Sequence, residues 1–219
     1  MKNMKAIRGR AYILDLISQG EHVRQDFKFA ISDARKIARS ISAFANNSGG
    51  HLLVGVKDNG TIAGVRNDED IYVIEQAARL YCRPSQEVEF TAFNTGDAGI
   101  VIRATVSKSP ERPVYAQEPD KRWKAYYRVA DENISAHPLM VRAWRHVAGQ
   151  THTMMNIGGP ESTIVDVLQH NGWTRINDAL MRAGSSRKTA EMAIIRLAAL
   201  GVVDFDYRGG EFGLIIRPD

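Results

Sequence analysis

Ser185-Ser186-Arg187-Lys188-Thr189 combine hydroxyls with cations directly ahead of an apolar-periodic run. At a helix start, such hydroxyls and the unpaired backbone amides suit phosphate oxygens, and Arg187 or Lys188 can add contacts to guanine edges. Lys121-Arg122-Trp123-Lys124 sets an aromatic ring among cations, the residue types of a base-stacking contact. Arg142, Trp144, Arg145 and His146 repeat that mixture on a helix, where Trp144 reads more naturally as a core anchor. Asp58 stands alone at the exit of the apolar run Leu52-Leu53-Val54, in an Asp-Asn-Gly turn. Other chemistries find no support. The six histidines lack metal-ligand spacing, and Gly158-Gly159-Pro160-Glu161-Ser162-Thr163 lacks the lysine of a phosphate-binding loop. Cys82, beside Leu80 and Tyr81, reads as a small buried hydrophobe.

Composition bounds the class. The 219 residues are 44% hydrophobic and 25% charged, as in a globular protein large enough for one sizeable core and a smaller domain. No apolar run approaches the ~20 residues that span a bilayer, and Asp15 breaks the Tyr12-Ile13-Leu14 run at once, so no membrane association is expected. A single cysteine excludes an intramolecular disulfide and points to a reducing cytoplasm. The net charge is +4, unevenly spread: residues 1–40 hold nine Lys/Arg against four Asp/Glu, and residues 160–219 seven against eight. The basic excess of the N-terminal part favours a polyanionic partner.

The elements that would position these groups fall into two segments. Residues 1–147 mix strands and helices: a strand over Val23–Phe29, a helix over Asp33–Asn46 started by Ser32, a hairpin of His51–Val56 with Thr61–Val65, and a helix over Asp68–Tyr81. Strands Val88–Phe93, Ile100–Val106 and Tyr126–Val129 follow, then a last helix over Leu139–Val147. This is an α+β pattern, a mixed sheet with flanking helices. Residues 148–160 read as a linker. Residues 161–219 predict helices over Thr163–His170, Arg175–Ala183 and Arg187–Leu200, then strands Val202–Tyr207 and Phe212–Arg217 around Arg208-Gly209-Gly210. Three helices, a short turn and a hairpin spell a small winged helix-turn-helix domain, whose third helix would enter the major groove. Asp204, Asp206 and Glu211 on the hairpin oppose a phosphate backbone.

The first segment resembles a known family. The runs GEHVRQDFK (Gly20–Lys28), SAFANNSGG (Ser42–Gly50), LVGVKDNG (Leu53–Gly60), IAGV (Ile62–Val65), RPVY (Arg112–Tyr115) and YYRV (Tyr126–Val129) are similar to the Schlafen-type AlbA-2 domain over roughly residues 12–147. In bacteria such domains are often followed by a winged helix and described as DNA-binding regulators. In animal Schlafen proteins the same domain type can act as a metal-dependent ribonuclease. The resemblance therefore implies nucleic acid as partner, DNA ahead of RNA. It also implies a homodimer, since Schlafen cores pair two such lobes in one chain.

The resemblance further implies roles for named residues. Lys28, Arg35, Arg39 and Arg128 would hold phosphates, while Ser185, Ser186, Arg187 and Lys188 would meet a groove. Glu21, Asp26 and Asp58 stand where Schlafen nucleases carry acidic residues, and such hard oxygen ligands would bind Mg²⁺ or Mn²⁺ at a phosphodiester. A purely binding protein needs no cofactor. Asp26 is one methylene shorter than the family's usual Glu, and Lys57 replaces a frequent acidic neighbour of Asp58. The residues alone also allow surface pairs of Glu21 and Asp26 with Arg24, Arg35 or Arg39, and an Asx turn at Asp58. Besides DNA binding, the sequence thus leaves open a ribonuclease and a protein-docking module.

Overall fold

A computed structural model describes residues 5–148 and 158–218. Of the linker expected at 148–160, residues 149–157 lie outside the described residues. Contacts divide the chain into one unit of Met1–Ser135 and a second of Ala136–Asp219. The helix read from sequence as Leu139–Val147, at the end of the first segment, falls in the second unit.

In the first unit the elements run β1 (Ile7–Arg8), α1 (Arg10–Ser18), β2 (Gln25–Lys28), α2 (Ala34–Asn46), β3 (Gly50–Val54), α3 (Glu69–Leu80), β4 (Cys82–Arg83), β5 (Val88–Asn94), β6 (Ile100–Val106), β7 (Tyr115–Gln117), β8 (Trp123–Val129) and β9 (Glu132–Ser135). Two sheets result. The larger has the order β1-β5-β6-β3-β2, with β2 parallel to β3 and β1 parallel to β5, and β6 antiparallel to its neighbours. The smaller, β4-β7-β8-β9, is antiparallel throughout. The α+β class is as expected.

Helix α2 explains the arrangement. Asp33, rather than Ser32, caps it by accepting from the Arg35 and Lys36 amides. Its face of Ile37, Ala38, Ile41, Phe44 and Ala45 joins Leu52 and Val54 of β3, Ile71 and Ile74 of α3, and Ala116 and Tyr126 of the small sheet in one core. Ile13 and Leu16 of α1 meet Phe27, Leu53 and Val101 on the opposite face of the large sheet. Strand β3 is therefore covered on both sides, which its apolar run foretold, and each Leu or Ile buried there is worth roughly 1.5–3 kcal/mol. The turn that follows α2 runs through Gly49, whose φ of +76° and close approach to Val106 leave no room for a side chain: a Cβ would sit 2.8 Å from the Val106 carbonyl oxygen.

The hairpin expected after β3 is reduced to a single bridge between Val56 and Ile62. Gly55, at φ +93°, turns the chain so that its carbonyl accepts from the Ala63 and Gly64 amides, and Val65 then bonds to Ile100 of β6. A close backbone approach replaces strand pairing.

The second unit contains α4 (Pro138–Ala148), α5 (Pro160–Asn171), β10 (Thr174–Arg175), α6 (Ile176–Arg182), α7 (Arg187–Ala199), β11 (Val203–Arg208) and β12 (Glu211–Ile216). Its sheet has the order β10-β12-β11, antiparallel throughout. Ile164, Leu168, Ala179, Ile194, Leu197, Val203 and Leu214 are buried within it. Among the described residues no helix is long and apolar enough to cross a membrane.

Candidate nucleic-acid interface

Strand β2 presents Asp26 and Lys28 on one face, two residues apart as strand alternation requires. Asp26 is only 5% exposed, yet it sits among donors. Lys28 Nζ lies 2.8 Å from its Oδ2, Arg128 Nη2 3.5 Å from its Oδ1, and Ser40 Oγ donates to Oδ2 at 3.4 Å. Glu21, half-buried, accepts from the Phe27 amide at 2.7 Å. Burial first, then its hydrogen bond with Asp26, pushes the Glu21 carboxyl above the usual carboxylate range. Burial acts in the same sense on Asp26, but the hydrogen bond from Glu21 and the charges of Lys28 and Arg128 outweigh it and hold Asp26 low. A proton shared by this pair therefore rests on Glu21.

Arg128 lies inside the protein, 2% exposed. Its Nη2 donates to the Gln25 carbonyl at 3.1 Å, Nη1 to Asn133 Oδ1 at 3.0 Å, and Nε to the His22 carbonyl at 3.4 Å. The Phe44 ring lies 5.1 Å from its guanidinium carbon. Its backbone is bound on both sides by the Asn47 amide group. Arg128 is thus an internal clasp, the alternative to a phosphate contact. Arg39 forks onto Glu118, Nε to Oε1 at 2.9 Å and Nη2 to Oε2 at 2.5 Å, and the Tyr126 hydroxyl donates to the same carboxylate at 2.7 Å. Burial and that hydrogen bond push the Tyr126 hydroxyl up to about 12. Arg35 stacks over Tyr81 at 4.7 Å.

Asp26, Lys28, Arg39, Tyr126 and Arg128 border a cleft of about 640 Å³ between α2 and the β8–β9 hairpin. Lys28, Lys36, Arg39 and Arg128 on its wall face Asp26, Asp33, Asp131 and Glu132. Its balance of charge gives a polyanion no net attraction.

In the second unit Ser185 to Thr189 are all exposed. Ser186 caps α7, its hydroxyl accepting from the Thr189 amide and lying 2.8 Å from the Thr189 hydroxyl. Arg187 extends to Glu191 (3.2 Å), which Arg142 of α4 also holds at 2.7 Å. The three carboxylates of the β11–β12 hairpin all carry arginine partners: Asp206 with Arg208 (2.6 Å), Glu211 with Arg175 (2.7 Å) and Asp204 with Arg217 (3.8 Å). Their opposition to a phosphate backbone is locally neutralised.

The family model described as "Schlafen, AlbA_2" matches residues 21–137. The chain belongs to the Schlafen AlbA_2 family. That family points to nucleic-acid binding at its own level of description. No curated protein matches the chain. Among solved structures, a crystal structure of the DIP2311 protein from Corynebacterium diphtheriae is similar at 17% identity and a TM-score of 0.44. The match covers 94% of this chain but 38% of that one, so the chain spans well under half of that protein's length.

For a Schlafen AlbA_2 domain the decisive question is whether Glu21, Asp26 and Asp58 meet. Glu21 and Asp26 do; Asp58 is exposed in the turn after Val56, where Asn59, not Asp58, accepts from the Thr61 amide at 3.0 Å. Among the described residues no three Asp, Glu, His or Cys side chains gather closely enough to hold a metal ion. Asp26 already answers two cations, and burial pushes the Glu21 carboxyl up. The residues present, as arranged, do not fit Mg²⁺ or Mn²⁺. Sequence reasoning missed Glu118, which holds the Arg39 side chain, and Asn47, which holds the Arg128 backbone. They lie 79 and 81 positions from those partners, and no local spacing announces such a contact.

Proposed function

We propose that this AlbA_2 protein is a DNA-binding transcriptional regulator whose second unit is a winged helix-turn-helix reading duplex DNA through α7. The protein would act as a homodimer in the cytoplasm. The observation that carries the reading is the start of α7, where Ser185, Arg187, Lys188 and Thr189 stand exposed at the end of a thirteen-residue helix. The positive helix terminus and two cations coincide there. The element order supports it: α5, α6 and α7 are followed by a hairpin, with β10 completing its sheet on β12. Two-fold pairing would place two copies of α7 in successive grooves.

Gel-shift titration of random duplex DNA across salt tests this. Affinity should fall steeply as salt rises, with the slope reduced by about one on Lys188→Ala if that side chain contacts a phosphate. Arg187→Ala should cost about 1–3 kcal/mol on a preferred site if it reads a base edge. Binding that ignores salt, or that survives the double variant intact, would instead identify a protein-docking module.

A further inference from the structure

The outer face of the small sheet carries a row of aromatic rings. In β8, Tyr126 and Arg128 point inward to α2, so Trp123, Ala125 and Tyr127 point the other way. The register sets Tyr115 opposite Ala125, Gln117 opposite Trp123, and Arg83 opposite Tyr115. Tyr115, Trp123 and Tyr127 are each half-buried, while the small Ala125 between them is almost fully covered. Arg83 is exposed and its guanidinium lies 5.0 Å from the centre of the Trp123 ring. Lys121, exposed, lies two residues before Trp123. Asp120 beside them is already held by Arg122 at 2.5 Å.

We infer that this face is a stacking platform for unpaired nucleic-acid bases. Flat rings in a row on an antiparallel sheet accept successive bases whatever their identity, because every base has a π-face. The Arg83 plane over Trp123 adds a charged layer on which a base can also stack. Arg83 and Lys121 then meet the phosphates. The charge favours this occupant over an apolar partner: Arg83 and Lys121 stand beside Trp123, where the neighbouring carboxylate Asp120 is paired with Arg122, and Glu132 lies at the far end of the face, opposite Val129. It also contrasts with the charge-balanced cleft on the opposite side of β8. The inference rests on the family's nucleic-acid binding but not on α7, since a single strand on the first unit and a duplex on the second are separate events.

The test uses the full chain carrying Trp144→Phe and Trp173→Phe, which leaves Trp123 as the sole indole. Adding oligothymidylate of about fifteen residues at low salt should quench its emission, and the same oligonucleotide annealed as a duplex should not. Arg83→Glu with Lys121→Glu, both surface changes, should weaken the single-strand titration by about tenfold and flatten its salt dependence. In the wild-type chain Tyr127→Ala should weaken oligonucleotide binding about as much, with thermal unfolding confirming a folded protein. Unchanged Trp123 emission on saturation with oligonucleotide overturns the inference, as does equal quenching by duplex. Loss of single-strand binding in the Arg187→Ala/Lys188→Ala chain overturns it too. If duplex binding persists while the oligonucleotide fails, only the platform falls; if neither binds, both readings fall.

Discussion

His51 shows how one side chain can carry a pH dependence. Gln25 donates its side-chain amide to the Leu16 and Gly20 carbonyls at 2.7 Å each, which turns its Oε1 toward His51 Nε2 at 2.8 Å. Nε2 therefore carries the hydrogen. Burial, and then the charges of Arg103, His22 and Arg24, lower the imidazole to about 4 from an ordinary 6.5. Between those two values the unfolded chain takes up a proton that the folded chain refuses, so stability falls as pH drops from 6.5 toward 4. Discounted for partial exposure, the loss is about 2 kcal/mol. Urea unfolding at pH 7.5 and pH 5 should show that loss in the wild type and a much smaller one in His51→Gln. The two residue-scale expectations with the clearest local logic, Cys82 as a buried hydrophobe and the exposed helix start at Ser185, match where these side chains lie. Burial pushes the Cys82 thiol, which lies against the Ala38 carbonyl, up to about 12, leaving it inert. Arg39 was legible as a cation but not as an ion-pair partner, because spacing along the chain says nothing of Glu118, a carboxylate 79 positions away.

At the scale of elements, α2 is the piece on which the first unit is assembled, and two side chains tie it to the small sheet. Asn46 donates to the Val114 and Tyr126 carbonyls and accepts from the Val114 amide, so a helix end replaces a strand neighbour for two segments. Arg128 then locks β8 to the carbonyls at the start of β2 and to Asp26. Arg128→Met should lower stability by about 3 kcal/mol in urea unfolding, since it leaves buried acceptors and a buried carboxylate short of a partner. DNA affinity per folded molecule should stay within about twofold of wild type; a tenfold fall with stability unchanged would instead place Arg128 on a phosphate. The order of elements was readable from periodicity and caps. What periodicity could not give was the loss of the Thr61–Val65 strand, because Gly55 and Gly64 bring two backbones together where side-chain alternation still reads as a strand. Nor could it give the side on which Pro138–Ala148 packs, since an amphipathic helix does not name its partner.

For the whole molecule, the balance of charges decides where a polyanion can settle. The N-terminal excess of cations looked like a binding surface in the sequence, but the structure ties Lys28, Arg39 and Arg128 to internal carboxylates and leaves exposed cations beside Trp123 and at the start of α7. A chelator should therefore leave nucleic-acid binding unchanged, measured by gel shift with EDTA against added Mn²⁺, and Asp58→Ala should bind as wild type does. Tenfold weaker binding in EDTA would bring the three carboxylates back into consideration. The parallel pairing of Ile7 with Phe93 and of Arg8 with Asn94 has a consequence for the newly made chain. The β2–α2–β3 segment can close on itself as soon as it is synthesised, whereas β1 has to wait for β5 to emerge before its backbone finds a neighbour. Strand β1 is synthesised ahead of β2 and β3 yet docks after them, and the amides of Ile7 and Arg8 should be among the earliest in the large sheet to exchange with solvent.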